Sequence, residues 1–271
     1  MKAILFKSII TFHTLQGFYD SKYFDEITEC EIKDMNLLIL DKFPKNLKLL
    51  NCENNRLKIL NNLPETLEYL LCKNNQLESL NNLPKNLKFL HCGNNRLKIL
   101  ENLPKNLEVL HCENIDQLKI CDELYENQLK TLDDLPKNLK ELYCGNNQLQ
   151  NLDNLPKNLE KLYCQNNQIQ NLDNLLNLKD LSILNCENNQ LKTLDYLPVF
   201  LNILNCKNNQ IQNLDSVEKL INLAFLNCEN NQIERLDHLP TRCLSTVIYK
   251  NNPIISIKIP EVVQHMHLTT F

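Results

Sequence analysis

The chain has 271 residues, 43% of them hydrophobic, with a formal net charge of −4 and a pI near 5.9. That balance excludes a protein whose partner is simply any nucleic acid or any anionic membrane, since both demand a basic surface. Only three glycines occur, so turns that need positive φ must draw on asparagine, the other residue that tolerates it.

Residues 1–26 stand outside any repeat and contain Phe6, Phe12, Phe18, Tyr19, Tyr23 and Phe24. Lys7 interrupts the apolar run of Met1–Ile10 and no small-residue cleavage site follows, so the segment is not read as a signal peptide. The first repeat of an array would leave an apolar edge open, which makes this aromatic segment most economical as a cap. A short recruitment motif is the alternative. Residues 27–40, ITECEIKDMNLLIL, keep the apolar spacing of the later units but lack their cysteine and asparagine pair, as a degenerate first repeat would.

From there the chain copies itself. LPKNLKFLHCGNNRLKILEN, Leu83–Asn102, recurs with a period of 20 residues. Fixed-period self-similarity signals a solenoid, in which each unit is too small to bury its own apolar face and stacks on the next. Nine units centre on Cys52, Cys72, Cys92, Cys112, Cys144, Cys164, Cys186, Cys206 and Cys228, and in a tenth Tyr249 takes the cysteine's place. The intervals Cys164 to Cys186 and Cys206 to Cys228 are 22 residues; they lack the Leu-Pro pair and carry NLLNLKDL or SVEKLINL, which predicts a helical or 3₁₀ return. Elsewhere Leu-Pro predicts an extended return, because proline disfavours helix in the residue before it. Cys112 to Cys144 spans 32 residues, placing 12 extra residues at about 114–126 (NIDQLKICDELYE). Such an insertion either flanks a binding surface or is a neutral loop. The tail from Ile254 loses the pattern, and residues 258–271 are assigned as the C-terminal cap, leaving 27–257 as the array.

The nine repeat cysteines each replace an apolar residue in a leucine-rich pattern. Buried free cysteine behaves as a small hydrophobe, so they read as a ladder of reduced thiols, suited to a reducing, intracellular compartment. No apolar stretch approaches the roughly 18 residues of a membrane span.

The frame Leu-x-x-Leu-x-Cys-x-Asn-Asn-x-Leu, as in Leu87, Leu90, Cys92, Asn94, Asn95 and Leu97, resembles the leucine-rich repeat consensus over residues 27–257. The Leu-Pro-x-x-Leu opening resembles the short repeats of bacterial effector proteins. The Lys- and Asn-rich, cysteine-bearing version is similar to repeat proteins of giant DNA viruses, and the 22-residue units resemble the phosphatase-regulator subtype. The resemblance implies an α/β-type solenoid, mostly β: a right-handed superhelix with a parallel concave sheet, an extended or 3₁₀ convex side, and about 10–11 repeats plus caps. It also implies that Asn55, Asn75, Asn95, Asn127, Asn147, Asn167, Asn189, Asn209, Asn231 and Asn252 turn inward as a buried ladder. The chemistry agrees, because a turn leaving a strand exposes backbone donors and acceptors, and one carboxamide offers both.

Strand alternation sends Leu90 and Cys92 into the core and Phe89, His91 and Gly93 to the concave face. The same alternation puts Tyr69, Phe89, His91, Val109, His111, Tyr143, Tyr163, Ile183 and Phe225 on that face, an aromatic mix favoured at interface centres, and these are the candidate partner-binding residues. Duplication alone would also explain pairs such as His91 and His111. With strands roughly 4.8 Å apart those two imidazoles could reach one metal ion, but two ligands are too few, and Cys92 and Cys112 point the other way. No metal and no cofactor is expected. No glycine-rich phosphate loop, HExxH or GxSxG occurs, and Cys121, beside Asp122, is a weak nucleophile because a carboxylate raises a thiol's pKa. The chain is therefore not read as an enzyme.

Lys45, Lys85, Lys105, Lys137 and Lys157 follow the Leu-Pro prolines, but the next column alternates as Lys48, Glu68, Lys88, Glu108, Lys140 and Glu160. That describes a self-compensating solvated face, not a nucleic-acid site. The expectation is a non-enzymatic scaffold that binds a protein on its concave face, contacts neither nucleic acid nor membrane, and is monomeric with at most weak self-association. Its compartment is cytoplasmic, in the host or in the virion if the source is viral. The alternatives are an adaptor for a ubiquitin ligase or other host machinery, and a self-associating structural or virion component.

Overall fold

The computed structural model describes residues 2–5, 8–11, 14–114, 126–257 and 267–269. Phe6, Phe12, residues 115–125 of the insertion with Cys121, and most of the 258–271 segment lie outside the described residues. The chain forms two compact units, Met1–Leu129 with Asp133–Leu139, and Lys130–Leu132 with Lys140–Phe271. Each is a right-handed, mostly-β solenoid built on a parallel sheet.

In the first unit, parallel strands β3 (Glu29–Glu31), β4 (Leu49–Asn51), β5 (Tyr69–Leu71), β6 (Phe89–His91) and β7 (Val109–His111) follow one another in chain order. Ahead of them β1 (Lys2–Leu5) and β2 (Ser8–Thr11) form an antiparallel hairpin, and β1 pairs antiparallel with β3, placing Ala3 opposite Cys30. The hairpin thus satisfies the backbone groups of the first parallel strand. A short helix, α1 (Leu15–Tyr19), is capped by Thr14, whose Oγ1 accepts the Gly17 N–H at 3.0 Å. Phe18 is fully buried, and the rings of Phe18, Tyr19 and Phe24 cluster with centroids 5.1 to 6.0 Å apart.

The second unit stacks β8 (Glu141–Tyr143), β9 (Lys161–Tyr163), β10 (Ile183–Asn185), β11 (Ile203–Asn205), β12 (Phe225–Asn227), β13 (Thr246–Ile248) and β14 (His267–Thr269), all parallel. Rungs pair residues 20 apart in the regular repeats, as in Tyr69 opposite Phe89, 22 apart across the two returns that lack Leu-Pro, Lys161 opposite Ile183 and Ile203 opposite Phe225, and 21 apart at Phe225 opposite Thr246 and Thr246 opposite His267. The longer returns contain the expected 3₁₀ turns, Asp173–Asn177 and Val217–Lys219. The proline-bearing returns bend twice: the residue two before the proline is left-handed in most of them, with φ of 59° at Asn62 and 61° at Asn82, and the proline carbonyl accepts the amide of the leucine three residues on, Leu47 to Pro44 at 3.2 Å, Leu67 to Pro64 at 3.0 Å and Leu87 to Pro84 at 3.1 Å.

Core columns follow the alternation. Leu50, Leu70, Leu90 and Leu110 are fully buried, and so are Cys52, Cys72, Cys92 and Cys112; Leu142, Leu162, Leu184, Leu204 and Leu226 repeat this in the second unit. Burying a leucine stabilises the fold by about 1.5–3 kcal/mol. Cys30 lies opposite Leu50, so it fills a leucine position, and buried Ile32 takes the place of the ladder cysteine. The described cysteines form no disulfides, and only Cys243 among them is exposed. Burial pushes the thiols of Cys30, Cys164 and Cys228 up to about 12. Cys164, Cys186 and Cys206 also donate Sγ–H to the carbonyls of Asn185, Asn205 and Asn227 at 3.3 to 3.4 Å.

Asparagine carries the turns in two ways. The second asparagine of each pair is the inward ladder. Asn95, fully buried, donates Nδ2–H to the carbonyls of Cys72 at 3.1 Å and Cys92 at 3.0 Å, while its Oδ1 accepts the Leu77 amide at 3.0 Å. The first asparagine holds the left-handed conformation, with φ of 57° at Asn54, 54° at Asn74 and 48° at Asn94. Its side chain builds a further ladder that the repeat pattern did not disclose: Asn74 donates to Asn54 at 2.6 Å and Asn54 to Asp34 at 2.8 Å, and Asn251 to Asn230 at 2.6 Å in the second unit. Among the described residues no glycine has positive φ.

Candidate functional site

The strands that carry the nine candidates bury their middle residue and leave the outer two at least partly exposed, so the nine all lie on the sheet face away from the core. The structure divides them between the units. Tyr69, Phe89, His91, Val109 and His111 belong to the first; Tyr143, Tyr163, Ile183 and Phe225 belong to the second.

On the first unit the rings make a continuous row. Centroids lie 6.4 Å apart for Tyr69 and Phe89, 5.4 Å for Phe89 and His111, and 5.0 Å for His91 and His111. Tyr69 is the most open of the nine at 42% exposure. Two carboxylates reach into this row. Glu113, two residues beyond His111 and therefore on the same face, places Oε1 3.1 Å from His111 Nδ1 and 3.8 Å from His91 Nε2. Glu53 reaches His91 Nδ1 at 3.4 Å, and that contact holds the Glu53 carboxyl below its ordinary value. Gly93 makes the meeting possible. A Cβ there would collide with the Glu113 carbonyl and lie 3.5 Å from His91 Nε2. This is the close-approach use of glycine, and it is what one of only three glycines does here.

On the second unit Tyr143 and Tyr163 stack face to face, with centroids 4.6 Å apart and planes 5° from parallel. Tyr143 O–H donates to Glu141 at 3.0 Å, and Glu141 pairs with Lys161 at 2.8 Å. Further along the face turns polar. Asn205 donates to Glu187 at 3.0 Å, and Lys207 pairs with Glu229 at 2.9 Å.

Glu53 and Glu113 are not among the residues expected from the columns before the cysteines. The column after them, Glu53, Lys73, Gly93, Glu113, faces the same way and was the available signal. On the returning side Lys88 pairs with Glu68 at 2.7 Å, as the alternating column predicts. Among the described residues no helix is long and apolar enough to cross a membrane.

A family model for leucine-rich repeats (2 copies) matches residues 157–199. No curated protein matches the chain. Among solved structures the chain is similar to YopM from Yersinia enterocolitica, at 28% identity over 90% of this chain and 51% of that one, with a TM-score of 0.78. It is similar to the leucine-rich effector protein YopM from Yersinia pestis, at 30% identity over 89% of this chain and 71% of that one, with a TM-score of 0.72. It is also similar to the functional domain of InlJ from Listeria monocytogenes, which includes a cysteine ladder, at 25% identity over 86% and 53% of the two chains and a TM-score of 0.56. The chain spans about half the length of the Yersinia enterocolitica protein.

Proposed function

We propose that the chain, which belongs to the leucine-rich repeat family and is related to bacterial leucine-rich effector proteins, takes up a protein partner on the open sheet faces of its units, through Tyr69, Phe89, His91, Val109 and His111 on the first unit and Tyr143, Tyr163, Ile183 and Phe225 on the second. In this reading it is a non-catalytic scaffold. The observation that carries the reading is the row of rings from Tyr69 to His111 on the open face of the first unit. Aromatic surface presented over successive strands is the composition of interface centres.

In this reading residues 1–26 and 258–271 serve as caps, and the protein acts as a monomer. The buried thiols, free of disulfides, suit a reducing compartment, which is the host cytoplasm, or the virion if the Lys-, Asn- and Cys-rich composition reflects a viral source. Crosslinking mass spectrometry in the native cell tests it. Lys73 and Lys161, on the open face, are expected to crosslink to a single partner protein. Partner crosslinks confined to Lys85, Lys105, Lys137 and Lys157 would overturn the assignment. An adaptor would add a ubiquitin ligase crosslinked to the aromatic N-terminal segment, and a virion component would crosslink chiefly to its own copies.

A further inference from the structure

Three observations meet at one place on the open face of the first unit. The first is geometric: one ligand atom each from His91, His111 and Glu113 lie within 4.8 Å of one another. Zinc bound at about 2.0–2.1 Å to tetrahedrally arranged donors holds them about 3.3 Å apart. The 3.1 Å and 3.8 Å separations of Glu113 Oε1 from the His111 and His91 nitrogens bracket that value. The second is an imbalance: His91 Nε2 and Glu113 Oε2 are buried and have no hydrogen-bond partner, whereas buried polar atoms are ordinarily satisfied. The third is orientation. Glu53 faces His91 Nδ1 at 3.4 Å, and a carboxylate accepting from one imidazole nitrogen fixes the tautomer that turns the other nitrogen's lone pair outward to a metal. With Nδ1–H given to Glu53, the Nε2 lone pair is directed toward Glu113 across the gap that Gly93 keeps open.

We propose that His91, His111 and Glu113 form a binding site for a divalent transition-metal ion of the zinc class, with Glu53 orienting His91. Two imidazoles and one carboxylate favour a borderline metal over magnesium or calcium, which take oxygen ligands. Three protein ligands leave the fourth position of a tetrahedral ion to water or to a donor from outside. The core cysteines do not contribute, because Cys92 and Cys112 are buried on the opposite side of the sheet. The site does not depend on the partner-binding reading, since the ion alone is the ligand.

The test is calorimetric titration of the full, reduced, chelator-stripped chain with Zn²⁺ near neutral pH, with Mg²⁺ as the comparison ion. One Zn²⁺ per chain is expected, with no saturable uptake of Mg²⁺. His111→Ala and Glu113→Gln should each weaken zinc binding at least about tenfold, Glu53→Gln should weaken it about tenfold, and metal-free melting should stay unchanged in all three. His238→Ala, at an exposed imidazole paired with Asp215, should change nothing. Glu113→Gln keeps the size of the side chain, so its effect on zinc is not that of a cavity. The Co²⁺-loaded chain should show ligand-field bands without thiolate charge transfer. Absence of saturable zinc binding would overturn the proposal. It fails equally if binding survives both Glu113→Gln and His111→Ala, or if cobalt reports thiolate ligands.

Discussion

Asn114 and Asn127, 13 positions apart, hydrogen-bond each other reciprocally: Asn114 Nδ2–H donates to the Asn127 carbonyl at 2.9 Å, and Asn114 Oδ1 accepts the Asn127 amide at 2.8 Å. They flank the insertion and correspond to the adjacent asparagines of the other units, such as Asn94 and Asn95. Asn127 still performs the ladder role. Its Nδ2–H donates to the Cys92 and Cys112 carbonyls at 3.0 and 3.2 Å, and its Oδ1 accepts the Leu97 amide at 3.0 Å. The pair thus closes the repeat as though the intervening residues were absent.

Excising residues 115–126 should therefore leave the fold intact. The deletion makes Asn114 and Asn127 neighbours, restores the 20-residue spacing, and removes loop-closure entropy, which grows only slowly with loop length. A melting temperature equal to or above that of the intact chain is expected, measured by circular dichroism. A clear fall would mean that the insertion itself stabilises the stack.

The inward asparagines should outweigh any open-face residue in stability. Asn95→Ala strands the Leu77 amide and removes a donor from two buried carbonyls, at a cost on the order of 1–3 kcal/mol. Tyr69→Ala trims a side chain that is already 42% exposed and should cost much less. Urea midpoints of the two variants, compared with the parent, check the ordering, and equal shifts would refute it.

The thiol ladder predicts a sharp alkaline limit. Burial pushes Cys30, Cys164 and Cys228 up to about 12, and Cys52, Cys92, Cys112, Cys186 and Cys206 well above the ordinary value of 9.0. A group whose folded pKa is raised contributes stability that is complete below the unfolded value and is lost as pH climbs toward the folded one. The loss begins near pH 9 and runs at about 1.4 kcal/mol per pH unit for each thiol. Urea midpoints taken from about pH 7 to about pH 10 should be nearly flat and then fall steeply. Replacing Cys164, Cys186 and Cys206 with alanine should lower the plateau but reduce the slope above pH 9. An unchanged slope would show that these thiols are not protonated and buried.

The repeat period and strand alternation made the fold legible because each column is filled by one residue type for one reason: Leu90 and Cys92 point inward, His91 outward, and Asn95 into the turn. The two 3₁₀ returns could be read from the missing Leu-Pro. The zinc-class cluster could not, for a physical reason. Column reading pairs each residue with its rung neighbours, whereas Glu53 meets His91 diagonally, across the β5 repeat between them, and Glu113 meets it only because Gly93 has no side chain. Two histidines looked like too few ligands when the third stood in an unread column. The first-asparagine ladder was hidden likewise, since positive φ explains Asn54 and Asn74 individually but does not say that their carboxamides join at 2.6 Å.

Binding, finally, should be asymmetric between the two sides of the array. The open-face rings are half-buried by one another before any partner arrives, so they are pre-ordered and lose little side-chain freedom on binding, the condition under which an aromatic anchor contributes most. Phe89→Ala on the first unit and Tyr143→Ala on the second should each weaken partner affinity by about 2 kcal/mol or more while the chain keeps its melting temperature. Neither residue is a ligand of the zinc-class site, so the loss would not reflect a missing metal. Lys85 and Lys105, exposed on the returning side, can act only by long-range attraction. Their neutralisation should alter association rate and salt dependence with little change in affinity. Surface plasmon resonance on the crosslinked partner separates the cases. If the lysine variant loses the partner while both ring variants keep it, the partner sits on the returning side, and the open-face aromatics are stacked only because the repeats were copied.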